Sequence, residues 1–132
     1  MMAKRKPQQR PTNAELEILR VLWQHGPSTV RQVQDVLCAE KPTGYTTVLK
    51  FMQIMTAKGL LVRDESERTH LYKPRVPAEN TQRQLVADLL ERVCEGSAEK
   101  LMMHALTAKK VSPEELANIR KLLEKMEGRS DE

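Results

Sequence analysis

A mainly α fold carrying one short β-hairpin is predicted for this chain of 132 residues, and three observations predict it. Apolar residues recur at three- and four-residue spacing through most of the sequence. Thr12 with Glu15 and Thr29 with Gln32 repeat the Thr-x-x-Glu/Gln pattern that opens helices. A single pair of strand-like runs, residues 60–64 and 70–74, stands around a polar ESERT tip.

Residues 1–11 are basic and punctuated by proline, which predicts a flexible arm. The first helix starts at the Thr12 capping box, presents Leu16, Leu19, Val21, Leu22 and Trp23 as its apolar face, and ends at Gly26 and Pro27. A second begins near Thr29 and buries Val30, Val33, Val36 and Leu37. After a connection through Lys41, Pro42, Thr43 and Gly44, a third runs to Lys58, where Gly59 can take a left-handed cap. Its apolar face is Val48, Phe51, Met52 and Met55, which leaves Thr46, Thr47, Lys50 and Gln53 outward. Short hydroxyls, one cation and one amide near a helix start suit contact with phosphates and base edges in a DNA groove.

Three helices followed by a hairpin within residues 12–76 make the winged helix-turn-helix arrangement, in which the third helix enters the major groove and the hairpin lies along the backbone. Residues 77–128 differ in character. A stripe of Leu85, Val86, Leu89, Leu90 and Val93 lies between Ala78 and Glu95, and a second, with Leu101, Met102, Ala105 and Leu106, lies between Ala98 and Leu106. A third helix opens on Ser112, Pro113, Glu114 and Glu115, carries Leu116, Ile119, Leu122, Leu123 and Met126, and then gives way to a polar tail over 129–132.

Three short amphipathic helices make a poor independent core, so pairing with a second copy is expected. Burying roughly 1,000 Å² of apolar surface in a dimer would yield a gross term on the order of 25 kcal/mol before association costs. The expected dimer contacts are Leu85, Leu89, Val93, Leu101, Met102, Leu106, Leu116, Ile119, Leu122 and Leu123.

Charge follows the same division. Residues 1–75 hold 13 Lys or Arg against 7 Asp or Glu, whereas the remainder holds 9 against 11. A basic half facing a polyanion and an acidic half facing protein fit that asymmetry. Aromatic residues make up 3% of the chain, too few for a single-strand stacking platform. No apolar run approaches the ~20 residues that span a bilayer, and no secretory leader is visible, so a soluble cytoplasmic protein is expected. Cys38 and Cys94, 56 residues apart within helical patterns, are expected as buried reduced thiols.

Enzymatic chemistry finds no constellation. His25, Cys38, His70, Cys94 and His104 are scattered without metal-ligand spacing, and no glycine-rich phosphate loop occurs. GxSxG is absent, and Ser66 and Ser112 read as turn and cap residues. No metal, no cofactor and no catalysis are therefore expected. The same fold could instead serve as a protein-interaction adaptor without specific DNA binding.

Two segments, PTNAELEILRVLWQHGPSTVRQVQDVL and TTVLKFMQIMTAKGLLVRDESERTHLYKPRV, resemble the penicillinase repressors, the BlaI/MecI/CopY family. The likeness covers about residues 11–127, including the spacing of the three trailing helices. It implies a homodimeric repressor occupying operator DNA, with Thr46, Thr47 and Lys50 at groove-contacting positions and Arg68 at the wing tip. Tyr45 takes a place where relatives often have proline and is expected to pack or to touch phosphate. Two departures concern regulation: His104 and Ala105 replace the Asn-Phe pair cleaved in β-lactam-responsive members, and the cysteine cluster of copper-responsive members is missing from KLLEKMEGRSDE. An upstream sensor or protease thus stays open as a partner, beside double-stranded DNA and a second copy of the chain.

Overall fold

The computed structural model describes residues 10–130, so the expected basic arm lies outside the described residues as far as residue 9. The elements run α1 (Asn13–His25), α2 (Val30–Cys38), α3 (Tyr45–Lys58), β1 (Leu61–Asp64), β2 (Leu71–Pro74), α4 (Ala78–Val93), α5 (Ala98–Ala108) and α6 (Pro113–Ser130). This is a mainly α fold with a small β-wing after the third helix. Two compact units divide within α4, between Leu85 and Val86.

Both capping boxes form. The Thr12 hydroxyl accepts from the Glu15 amide at 3.2 Å while the Glu15 carboxylate accepts from the Thr12 amide at 3.0 Å. Thr29 and Gln32 repeat the exchange at 3.1 and 2.8 Å. These reciprocal bonds satisfy amides that a helix start would otherwise leave unpaired. At the other ends, Gly26 has φ 82° and Gly59 has φ 88°, values at which a side chain would be strained.

Ile18, Leu19, Leu22, Val33, Val48, Met52, Met55, Leu61 and Tyr72 form the centre of the N-terminal core. Ile18 was absent from the expected apolar face, yet it is 2% exposed. Trp23, Val36, Leu37 and Phe51 pack at the rim of this core and are half-buried rather than enclosed. Trp23 does so near the end of α1, Val36 and Leu37 near the end of α2, and Phe51 in the middle of α3.

The wing is an antiparallel pair with Leu61 opposite Pro74 and Arg63 opposite Tyr72. A further backbone exchange reaches it from the turn between α1 and α2: the Ser28 amide donates to the Tyr72 carbonyl at 3.0 Å, and the Tyr72 amide donates back at 2.8 Å. β2 is thereby tied on both sides. Between α2 and α3, the Gln34 side-chain Nε2 and the Cys38 thiol both donate to the Thr43 carbonyl at 3.1 Å. Cys38 therefore serves the turn and is exposed, against the expectation of burial, whereas Cys94 is buried; both are free thiols.

In the C-terminal part, α4 stops at Val93, short of the expected Glu95, because the chain turns through Glu95 and Gly96 at positive φ. Ser97 caps α5, its hydroxyl accepting from the Lys100 amide at 3.1 Å. The Ser112 hydroxyl accepts from the Glu115 amide at 3.0 Å, the cap expected for α6. α6 continues to Ser130, so the described part of the expected polar tail is helical; residues 131–132 lie outside the described residues.

A further long-range tie in the N-terminal unit is ionic. Glu15, 3% exposed, receives the Lys58 ammonium at 2.8 Å and joins the start of α1 to the last turn of α3. Removing a buried acceptor of two hydrogen bonds strands its donors, so Glu15→Ala is expected to cost about 2 to 3 kcal/mol. Glu15→Gln should cost less, because its amide oxygen still accepts from Thr12. Urea unfolding measures both, and an unchanged midpoint for Glu15→Ala would count against a structural role for this pair.

Candidate nucleic-acid interface

α3 presents its polar side chains because its apolar ones are anchored. Val48, Met52 and Met55 are almost completely buried, and the helix packs against α1, α2 and β1. A 100° turn per residue then carries Thr46, Thr47, Lys50 and Gln53 to the water side, where all four are exposed. Gly44, the residue before the helix, offers no side-chain cap, so the first-turn amides are open to an external acceptor.

Tyr45 and Arg68, the other two expected DNA contacts, come to the same place. They line one groove of about 340 Å³, with Thr29, Arg31, Thr69 and His70 also on its wall. Tyr45, Thr46, Thr47, Lys50 and Gln53 thus share α3, and the groove joins its start to the wing tip. Arg31 is a member of this face that the sequence reading missed. Its guanidinium carbon lies 5.5 Å from the centroid of the Tyr45 ring, a cation–π distance. The only signal for it in the sequence is a cation just inside the second helix, which is not distinctive.

Arg63, Asp64 and Glu65 are engaged within the wing. Arg63 pairs with Glu65, and the Tyr72 hydroxyl followed by Glu65 raises the guanidinium pKa further above its ordinary value. Asp64 accepts from the Ser66 amide at 2.9 Å; that bond, and then the Ser66 hydroxyl, hold its carboxyl below the usual range. Among the described residues, Lys50, Arg31 and Arg68 have no carboxylate partner. They are the cations of this face left for an anion.

The residues expected at a dimer contact lie on α4, α5 and α6. Leu89, Val93, Met102, Leu116, Leu122 and Leu123 are exposed, with Val93 at 63% and Leu122 at 55%. Leu85, Leu101, Leu106 and Ile119 are half-buried. α5 has no buried residue, and among the described residues α5 and α6 make no extensive contact with each other. Exposed apolar side chains of this size and number are unusual for a surface that stays in water.

Among the described residues no group of His, Cys, Asp or Glu could hold a metal ion, and no helix is long and apolar enough to cross a membrane. His104 and Ala105 are both exposed on α5.

Comparison with known proteins gives a consistent result. The Penicillinase repressor family model matches residues 11–125. The transcriptional regulator BlaI of Mycobacterium tuberculosis is 29% identical over 115 residues, covering 86% of this chain and 82% of its own length. The penicillinase repressor of Bacillus licheniformis is 22% identical over 121 residues, covering 92% and 94%. A solved structure of the monomeric form of Bacillus licheniformis BlaI, in complex with the blaP half-operator, is 22% identical, covers 56% of this chain and 90% of that one, and superposes with a TM-score of 0.49. With a family model spanning most of its length, this chain belongs to the penicillinase repressor family, whose members are transcriptional regulators and not enzymes.

Proposed function

We propose that the chain acts in the cytoplasm as a homodimer that represses transcription by occupying a near-palindromic operator, with α3 in the major groove and the wing along the backbone. The observation that carries this reading is the polar set Thr46, Thr47, Lys50 and Gln53, exposed on α3 opposite its buried face, in a chain of this family. Phosphate contacts by Lys and Arg supply most of the affinity, and the outward side chains of α3 supply the choice of sequence. Arg68 adds a phosphate contact at the edge of the same face, in the groove that Tyr45 also lines.

Pairing is supported by the exposed leucines and methionines of α4, α5 and α6, which a second copy would cover. A twofold dimer sets its two reading helices about 34 to 36 Å apart, or a multiple of it, to match successive turns of DNA. Selection of bound fragments from random duplexes tests the whole reading. A palindromic consensus is the expected outcome, and no preference among duplexes would leave only an adaptor role.

Substitutions at four positions divide the reading into parts. Lys50→Ala should cost about 1 to 3 kcal/mol of operator binding, with the loss confined to one base position, if the ammonium reads a base edge. An equal loss on unrelated DNA would reassign it to phosphate. Arg68→Ala should weaken all duplexes alike and lower the slope of log affinity against log salt by about one unit; an unaltered slope removes Arg68 from the interface. Replacing Leu89 or Leu122 with Glu should give monomers by analytical ultracentrifugation and much weaker operator binding, and a variant that remained dimeric would exclude that residue from the contact.

A further inference from the structure

The groove between the start of α3 and the wing differs in its charge from two other depressions of the N-terminal unit. One of those contains Asp35, and another contains Glu17 and Glu40. No carboxylate lines the groove at Tyr45, while Arg31, Arg68 and His70 all do. Such a lining attracts anions.

Arg31 is also held in a particular way. Its guanidinium lies over the face of Tyr45 at 5.5 Å, so the ring engages the π surface of the cation and leaves its N–H groups at the edge free to donate. A long arginine on a helix surface normally loses rotamer freedom when it binds, and stacking removes part of that freedom beforehand. Neither residue is buried, so the stack lies outside the core.

We infer that Tyr45 is a positioning residue: its ring holds Arg31 over the groove so that the guanidinium meets a backbone phosphate of the DNA in a fork of parallel hydrogen bonds. This rests on the proposed duplex binding and specifies how one contact of it is made. The phosphate lies beside the entry of α3 into the major groove, and the pair fixes the register of that helix without reading a base. The ring, rather than the tyrosine hydroxyl, does this work, which is why tyrosine at position 45 differs in consequence from a proline there.

The test uses the full chain, a duplex obtained by selection and a mixed-sequence duplex, with affinities measured across a range of salt. Arg31→Ala should weaken both duplexes by the same factor and lower the salt slope by about one unit. Tyr45→Leu should weaken binding about two- to fivefold, the range expected of an exposed cation–π pair. In the Arg31→Ala background the same Tyr45→Leu change should cost nothing more, and Tyr45→Phe should bind like the unaltered protein. Independent losses from Arg31→Ala and Tyr45→Leu overturn the positioning role, as does a Tyr45→Phe variant as weak as Tyr45→Leu. If the unaltered protein binds the selected duplex with a steep salt dependence and Arg31→Ala changes nothing, this inference fails alone. If the unaltered protein binds no duplex, the proposed function fails with it.

Discussion

α3 must keep one side out of water and the other in it along a length of only 14 residues, and most of the N-terminal unit is arranged to meet that condition. Val48, Met52 and Met55 supply the apolar anchor, and α1, α2 and β1 supply the surface that receives it. An anchor of flexible methionines alone would permit some rotation about the helix axis, because methionine adapts to gaps of varied shape. The buried Glu15 carboxylate restricts that freedom. By bonding both the Thr12 amide and the Lys58 ammonium, it fixes the end of α3 to the start of α1. A helix held at its last turn and along its apolar face can present Thr46, Thr47 and Lys50 in one orientation.

The hairpin is held by different means. Two strands of four residues are too short to be stable alone. Tyr72, 3% exposed, brings β2 into the core, and its backbone exchanges two hydrogen bonds with Ser28. The wing is consequently attached at its base, and where β1 runs into the tip Arg63 pairs with Glu65 and Asp64 accepts from the Ser66 amide. That division separates structural charges from available ones. Arg63 is spent on Tyr72 and Glu65, while Arg68 at the tip has no such partner among the described residues.

Local signals in the sequence carried a good part of this. Thr12 with Glu15 and Thr29 with Gln32 are three residues apart, so each capping box is written in one turn of chain; the glycine ends and the ESERT tip are equally local. The outward face of α3 followed from its period. What was not legible depends on partners distant in sequence. The bond between Glu15 and Lys58 spans 43 residues, and the bridge from Ser28 to Tyr72 is made by backbone atoms with no side-chain signature. Cys38 was misjudged for a related reason: cysteine is usually buried, but here its thiol bonds the Thr43 carbonyl that closes the turn before α3. Arg31 became part of the candidate interface only when the fold brought the start of α2 beside Tyr45.

The proposed dimer gives the C-terminal helices a part in DNA binding without any contact to DNA. One winged unit offers a few cations and a short polar helix tip, and its affinity for half an operator is limited by that small number of contacts. Joining two units makes the second binding event intramolecular, with an effective concentration set by how α4 connects the halves. The linkage runs both ways: to the extent that pairing strengthens operator binding, the operator strengthens pairing by the same factor. An inducing event that loosened the apolar faces of α5 and α6 would therefore release DNA while leaving α3 intact. The exposed stretch around His104 and Ala105 lies on one of those helices, α5.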